Sequence, residues 1–199
     1  MLTFIMYSRL EYRLMKKLIS ALKALFLIGV WFLCSGFSLF EGGAVGNNSV
    51  PQPAKPVDLN RYLGRWYELG SYPAPFQEGC VATHADYSLD QQGSIRVLNS
   101  CRKGGLNGQE EIAEGKAQIV SDSNNAKLKI SFFGPFWGNY WVLDHAPDYS
   151  WSIVGEPSGR YLWLLSRTAH PSNAMLKLIE SRVINMGYDL KLLSWTLQP

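Results

Sequence analysis

Three cysteines and three histidines are the side chains of this 199-residue chain that could do thiol or metal chemistry. Cys34, Cys80 and Cys101 offer thiols, and His84, His145 and His170 offer imidazoles. None stands at ligand spacing from another. CxxC, HExxH and GxGxxG do not occur, which removes the usual signals of zinc sites, zinc hydrolases and dinucleotide sites. The histidines fall on one expected strand and two loops and read as surface residues, His84 on an outer face. No metal and no cofactor is expected. Cys80 and Cys101 fall near the outer ends of a hairpin around Asp90-Gln-Gln-Gly93 and could bridge. Directly opposed residues of an antiparallel pair share a face. Inward pairs such as Tyr87 and Ile95 have numbers with an even sum, while 80 and 101 give an odd one. A bridge therefore needs a β-bulge or an irregular strand end. The disulfide is the favoured reading, sensible after export and worth about 2–4 kcal/mol.

The elements that must position these residues are mostly strands. Short strand-like segments alternate with turn signals across Arg65–Gly70, Val81–Leu89, Ser94–Cys101, Glu110–Ser121, Lys127–Phe132, Tyr140–Leu143, Trp151–Gly155 and Tyr161–Ser166. About eight short strands at regular spacing argue for an all-β sandwich or barrel. One stretch is helical in period. Pro171-Ser172-Asn173 supplies start signals, Met175, Leu176, Ile179 and Val183 recur at spacings of three and four, and Gly187 ends it. A last strand-like piece spans Leu190–Leu197.

Hydrophobic residues make up 47% of the chain and charged residues 18%, which fits a folded protein rather than a disordered one. The formal charge of +3 belongs to the N-terminus: residues 1–40 hold five cations and one anion, and residues 45–199 hold 14 of each. A neutral body argues against a nucleic-acid partner. Met15-Lys-Lys, an apolar run to Leu33, and Cys34-Ser-Gly form a secretory or lipoprotein-type targeting segment over residues 1–40, with Met15 a plausible true start. Lys23 interrupts the run, and Ala24–Leu33 is about half of the ~20 residues that a span requires. Cys34 stands where a lipoprotein signal places its acylated cysteine, although Leu33 is larger than the small residue preferred there. Removal of Cys34 with the signal is the alternative. Residues 41–56, rich in Gly, Asn and Pro, read as a flexible tether, and the domain is expected to occupy residues 57–199.

Gly64-Arg65-Trp66-Tyr67-Glu68 resembles the opening of a lipocalin, in which Gly-x-Trp begins the first strand. Asp148-Tyr149 stands where that family has a turn between the sixth and seventh strands, with Pro147 replacing a Thr. Arg167 ends the eighth strand where the family places a cation, and a single helix follows. Ser131–Phe136 and Tyr161–Arg167 are similar to the bacterial outer-membrane lipocalins and the apolipoprotein D group. The resemblance covers about Val57 to Gln198. It implies an eight-stranded antiparallel up-and-down barrel with one C-terminal α-helix. It further implies that Arg167 lies across the Trp66 indole at the closed end, a cation–π contact worth about 0.5–2 kcal/mol. Gly64, Trp66, Asp148, Tyr149 and Arg167 are then residues of the fold rather than of ligand binding.

Alternation of faces assigns the lumen. Leu128, Ile130 and Phe132 oppose Lys127, Lys129 and Ser131; Ile95 and Val97 oppose Ser94 and Arg96; Ala85 and Tyr87 oppose His84 and Asp86. An inward Arg167 carries Leu165, Trp163 and Tyr161 inward as well. Tyr140 and Val142 are assigned to the lumen, although Trp141 and Leu143 make that strand apolar on both faces. An aliphatic and aromatic lumen without paired carboxylates suits an acyl chain. The resemblance implies a fatty acid or lysophospholipid ligand and lipid storage or transport in membrane maintenance. It also implies a place in the bacterial cell envelope: the outer membrane, periplasmic face, if Cys34 is lipidated, and otherwise the periplasm. Membrane association is expected through the N-terminus, and a homodimer is compatible with the family. Phe133, Phe136 and Trp137, beside Gly134-Pro135 at the open mouth, could touch a membrane or partner or fold over as a lid. The expected protein is not an enzyme. The alternatives are a filled barrel acting as an envelope interaction module, and a thiol-dependent lipocalin enzyme using Cys80 or Cys101.

Overall fold

Period-two alternation becomes a closed antiparallel sheet in the computed structural model, which describes residues 43–199. The strands are β1 (Gly64–Ser71), β2 (Cys80–Leu89), β3 (Ile95–Lys103), β4 (Glu110–Ile119), β5 (Lys127–Ser131), β6 (Gly138–His145), β7 (Trp151–Gly155) and β8 (Leu162–Ser166). Each pairs with its sequence neighbour, and β1 pairs with both β2 and β8, which closes the barrel. The short helix α1 (Leu59–Tyr62) precedes β1, with the Asp58 side chain accepting from the Asn60 amide. The targeting segment and Cys34 lie outside the described residues.

Helix α2 (Asn173–Asn185) begins where the start signals stand: the Ser172 side chain accepts from the Met175 amide. Its buried Ile179 and Val183 join Leu143, Trp151, Ile153, Leu162 and Leu164 in an outer cluster. The last expected strand is broken up. Leu190–Leu192 is a 3₁₀ turn, and only β9 (Ser194–Trp195) pairs, against Gly70 and Ser71. The tail then runs between β1 and β2, where the Gln198 amide donates to the carbonyls of Glu68 (2.7 Å) and Thr83 (2.9 Å).

Two expectations are corrected here. Residues 43–56 are seated on the barrel rather than loose. The Gly46 and Asn47 amides donate to the Gly159 carbonyl (2.9 and 3.3 Å), and the Ala54 amide donates to Leu143 (3.0 Å). Asn47 is buried and its side-chain amide donates to the Met186 carbonyl (2.8 Å). Gly159 has a φ of +68°, and a β-carbon there would lie 1.8 Å from the Asn47 carbonyl oxygen, so the contact requires glycine. The folded unit accordingly begins well before Val57. His145 is likewise buried at 5% exposure rather than on the surface. Its ring lies against Tyr149 (4.3 Å), and its nitrogens lie 2.9 Å from the Ala146 carbonyl and 3.1 Å from that of Pro56. Either carbonyl can accept the ring's N–H, which gives that donor a partner away from water.

Candidate functional site: the barrel lumen

The closed end is packed solid. Trp66 is fully buried, donates its indole N–H to the Tyr62 carbonyl (2.8 Å), and carries the Arg167 guanidinium 3.7 Å above its ring. Arg167 donates to the carbonyls of Arg65, Arg61 and Leu63 at 2.6–2.9 Å. Burial lowers its pKa, yet an arginine keeps its proton at any working pH. Tyr149 sits beneath, its hydroxyl accepting from the Asp58 amide (2.7 Å), with Arg61 over its ring (4.5 Å). Asp148 turns the chain by accepting from the Ser150 amide (3.0 Å), and the Ser150 side chain, followed by that amide, lowers its pKa. Gly64 opens β1 and, with a φ of +89°, holds the backbone beside Arg167.

Above this floor lies a polar knot. The Tyr87 hydroxyl donates to Tyr140 (2.9 Å), Tyr140 and Tyr62 share a bond (3.1 Å), and Tyr62 shares another with Ser152 (3.1 Å). Burial pushes the Tyr62 phenol up to about 12 and raises Tyr87 and Tyr140 further. All three therefore stay neutral donors. Four hydroxyl protons serve three bonds among these four groups, so one O–H remains to meet an acceptor.

Eleven of the twelve residues assigned to the lumen fall in the barrel's inner cluster or against it: Ala85, Tyr87, Ile95, Val97, Leu128, Ile130, Phe132, Tyr140, Val142, Trp163 and Leu165. The twelfth, Tyr161, stands at the rim, stacked on Trp163 (5.8 Å) and near Phe76 (5.9 Å). Val97, Leu128, Val142 and Leu165 are buried near the floor, whereas Ala85, Phe132, Tyr140, Trp163 and Tyr161 are half-buried. Ala113 lies opposite the inward-facing Asn99 and is exposed. An inward side chain that still meets solvent lines space continuous with the mouth. Gly115 lets the Phe132 ring lie against the wall: a β-carbon there would lie 2.8 Å from that ring.

Residues the alternation analysis did not name also face inward. Val154 lies opposite both Val142 and Trp163, and Glu68 lies opposite Leu165. Glu68 is two residues beyond Trp66, so parity carried the signal; its charge argued the other way. Its carboxylate is fully engaged, accepting from Gln77 (2.8 Å), Ser71 (3.1 Å) and Thr196. Gln77 in turn accepts from the Trp163 indole (2.9 Å), which ties the β1–β2 loop to the lumen wall.

Cys80 and Cys101 form a disulfide with Cα atoms 5.5 Å apart. The required irregularity is present, a register shift between Val81 and His84, with Ala82 at a φ of +52°. Among the described residues no group of three metal-ligating side chains forms. A groove of about 560 Å³ lies outside the barrel between the β6–β7 turn and α2, lined by Ala146, Trp151, Met175 and Leu178. Two of its polar residues, Asp148 and Ser150, bond each other, so the lumen is the better candidate.

A closed eight-stranded barrel with a capped floor and an apolar inner face is the architecture that can hold one small hydrophobic molecule. The chain belongs to the lipocalin family: the family model described as Lipocalin-like domain matches residues 57–198. It is 40% identical to Temperature-induced lipocalin-1 of Arabidopsis thaliana over 152 residues, 72% of this chain and 81% of that protein. It is 34% identical to Outer membrane lipoprotein Blc of Escherichia coli K12 over 185 residues, 92% and 96%. Apolipoprotein D of Macaca fascicularis is 31% identical over 163 residues, 76% and 82%. Among solved structures, insecticyanin of the tobacco hornworm matches with a TM-score of 0.59 at 23% identity, covering 75% of this chain and 86% of that one.

Proposed function

We propose that this chain is an envelope lipocalin that takes up a single fatty acid or lysophospholipid, for storage or transport of lipid in membrane maintenance. The carrying observation is the inner face at the open end: its aromatic side chains Phe132, Trp163 and Tyr161 stay partly exposed. Moving acyl surface from water into that space contributes about 0.8 kcal/mol per methylene, so about ten methylenes give a gross ~8 kcal/mol. Ordering the ligand offsets part of this. The remaining hydroxyl proton of the tyrosine knot offers the ligand's carboxylate or ester oxygen one donor at the lumen base.

The relatives named outer membrane lipoproteins support a bacterial envelope location. We place this chain there through its N-terminal segment, with Cys34 as the candidate acylated residue. Binding rather than catalysis is favoured because Cys80 and Cys101 are joined in a disulfide, and a thiol mechanism needs a free thiolate.

The test is a calorimetric titration with fatty acids and lysophospholipids of increasing chain length. Affinity should rise up to about fourfold per methylene and then level off where the chain fills the lumen. An affinity independent of length would contradict acyl burial and favour the filled-barrel interaction module.

A further inference from the structure

The seated segment before the barrel shows from which end the chain arrives. The Val57 amide donates to Asn124 (2.9 Å), in the β4–β5 turn of the closed end. Going backwards, the chain passes Leu143 and reaches Gly159 in the β7–β8 loop, which belongs to the open end. The Gly43 carbonyl accepts from Arg160 of that loop (2.6 Å), and a β-carbon on Gly43 would lie 3.1 Å from the carbonyl of Pro73, in the β1–β2 loop. The segment therefore climbs the outer wall and leaves the domain beside the mouth. Cys34 precedes Gly43 by nine residues, a reach of at most about 30 Å fully extended.

The same rim holds the most exposed large apolar side chains of the described residues. Phe133 and Phe136 on the β5–β6 loop are each 77% exposed, and Phe76 on the β1–β2 loop is 65% exposed. Exposed apolar clusters of this kind mark partner or membrane surfaces. Cations nearby are already engaged: Lys103 lies 3.7 Å from Glu111, and Lys116 lies 5.6 Å above Trp137. With these ammonium groups engaged, the exposed rings suit the acyl boundary of a bilayer better than an acidic partner.

We propose that the mouth of the barrel docks on a phospholipid bilayer through Phe76, Phe133 and Phe136, and that residues 43–56 are the strap that turns it that way. This rests on the reading that the N-terminal segment attaches the chain to a membrane. Its consequence is that an acyl lipid passes between bilayer and lumen without crossing bulk water.

The experiment is hydroxyl-radical footprinting of the full chain, free in detergent-purified form and bound to phosphatidylcholine vesicles, with flotation scored in parallel. Rings seated ~5–10 Å into the interface leave bulk water, so oxidation of the three phenylalanines should fall about fivefold or more. Leu178 and Ile184, exposed on α2, should be oxidised as before. A chain that floats with its rim phenylalanines still oxidised would overturn mouth docking and leave attachment standing. A chain that does not float would overturn attachment, and docking with it. The F133S/F136S chain, altered only at exposed positions, should still float and should lose the protection of Phe76. Protection retained there would show that these rings do not make the contact.

Discussion

The floor and the mouth of this barrel are built from the same eight strands, yet their side chains are under opposite demands. At the floor, Trp66 is fully buried and Arg167 spends its donors on three carbonyls. The buried indole N–H of Trp66 has its partner in the Tyr62 carbonyl, as a donor out of reach of water must. At the mouth, Phe132, Trp163 and Tyr161 stay partly exposed, and the rim phenylalanines lie in the open. The floor therefore carries stability, and the other end is where we propose that ligand binds. The tyrosine knot is the boundary, where buried hydroxyls satisfy one another.

That division can be broken from either side. Trp66→Ala should be the most damaging, at about 3–5 kcal/mol in urea denaturation, because it opens a cavity and takes the ring from beneath Arg167. Ala85→Trp should do the reverse. It puts an indole into the half-open lumen, leaving stability within about 1–3 kcal/mol of the parent while weakening an acyl probe at least about tenfold, or 1.4 kcal/mol. An Ala85→Trp protein that binds as before would place the ligand elsewhere.

The boundary can be sharpened by pH. Burial raises the pKa of Tyr62, Tyr87 and Tyr140 above that of an unfolded phenol, near 10. A raised folded pKa means that the stabilisation is complete below pH 10 and is lost as pH rises through the folded value. In an absorbance titration of phenolate, these three should stay protonated at pH 11 and ionise together with unfolding. Smooth ionisation of every tyrosine near pH 10, with the fold intact, would show the knot to be wet.

Much of this division was legible in the residues. Leu128, Ile130 and Phe132 alternate with Lys127, Lys129 and Ser131, so one face could only be the inside. Ambiguity arose at Tyr140–Leu143 because both faces are covered: Leu143 packs in the outer cluster with α2, and Lys127 lies 4.2 Å above the Trp141 ring. The knot was hidden because Tyr62 comes from α1, outside any strand period. The strap was hidden for a different reason. Gly, Asn and Pro have little apolar surface to announce docking, and residues 43–56 are held largely by backbone amides and carbonyls that every residue carries. That strap also covers His145, bringing the Pro56 carbonyl to its ring.

The central claim is that the upper lumen takes one acyl lipid. Native mass spectrometry of the protein purified from its own membrane fraction, followed by organic extraction and re-addition of lipid, tests it most directly. The account predicts a single acyl-lipid adduct that leaves on extraction and is restored by one equivalent of fatty acid or lysophospholipid. A bare barrel that stays bare with both would contradict it.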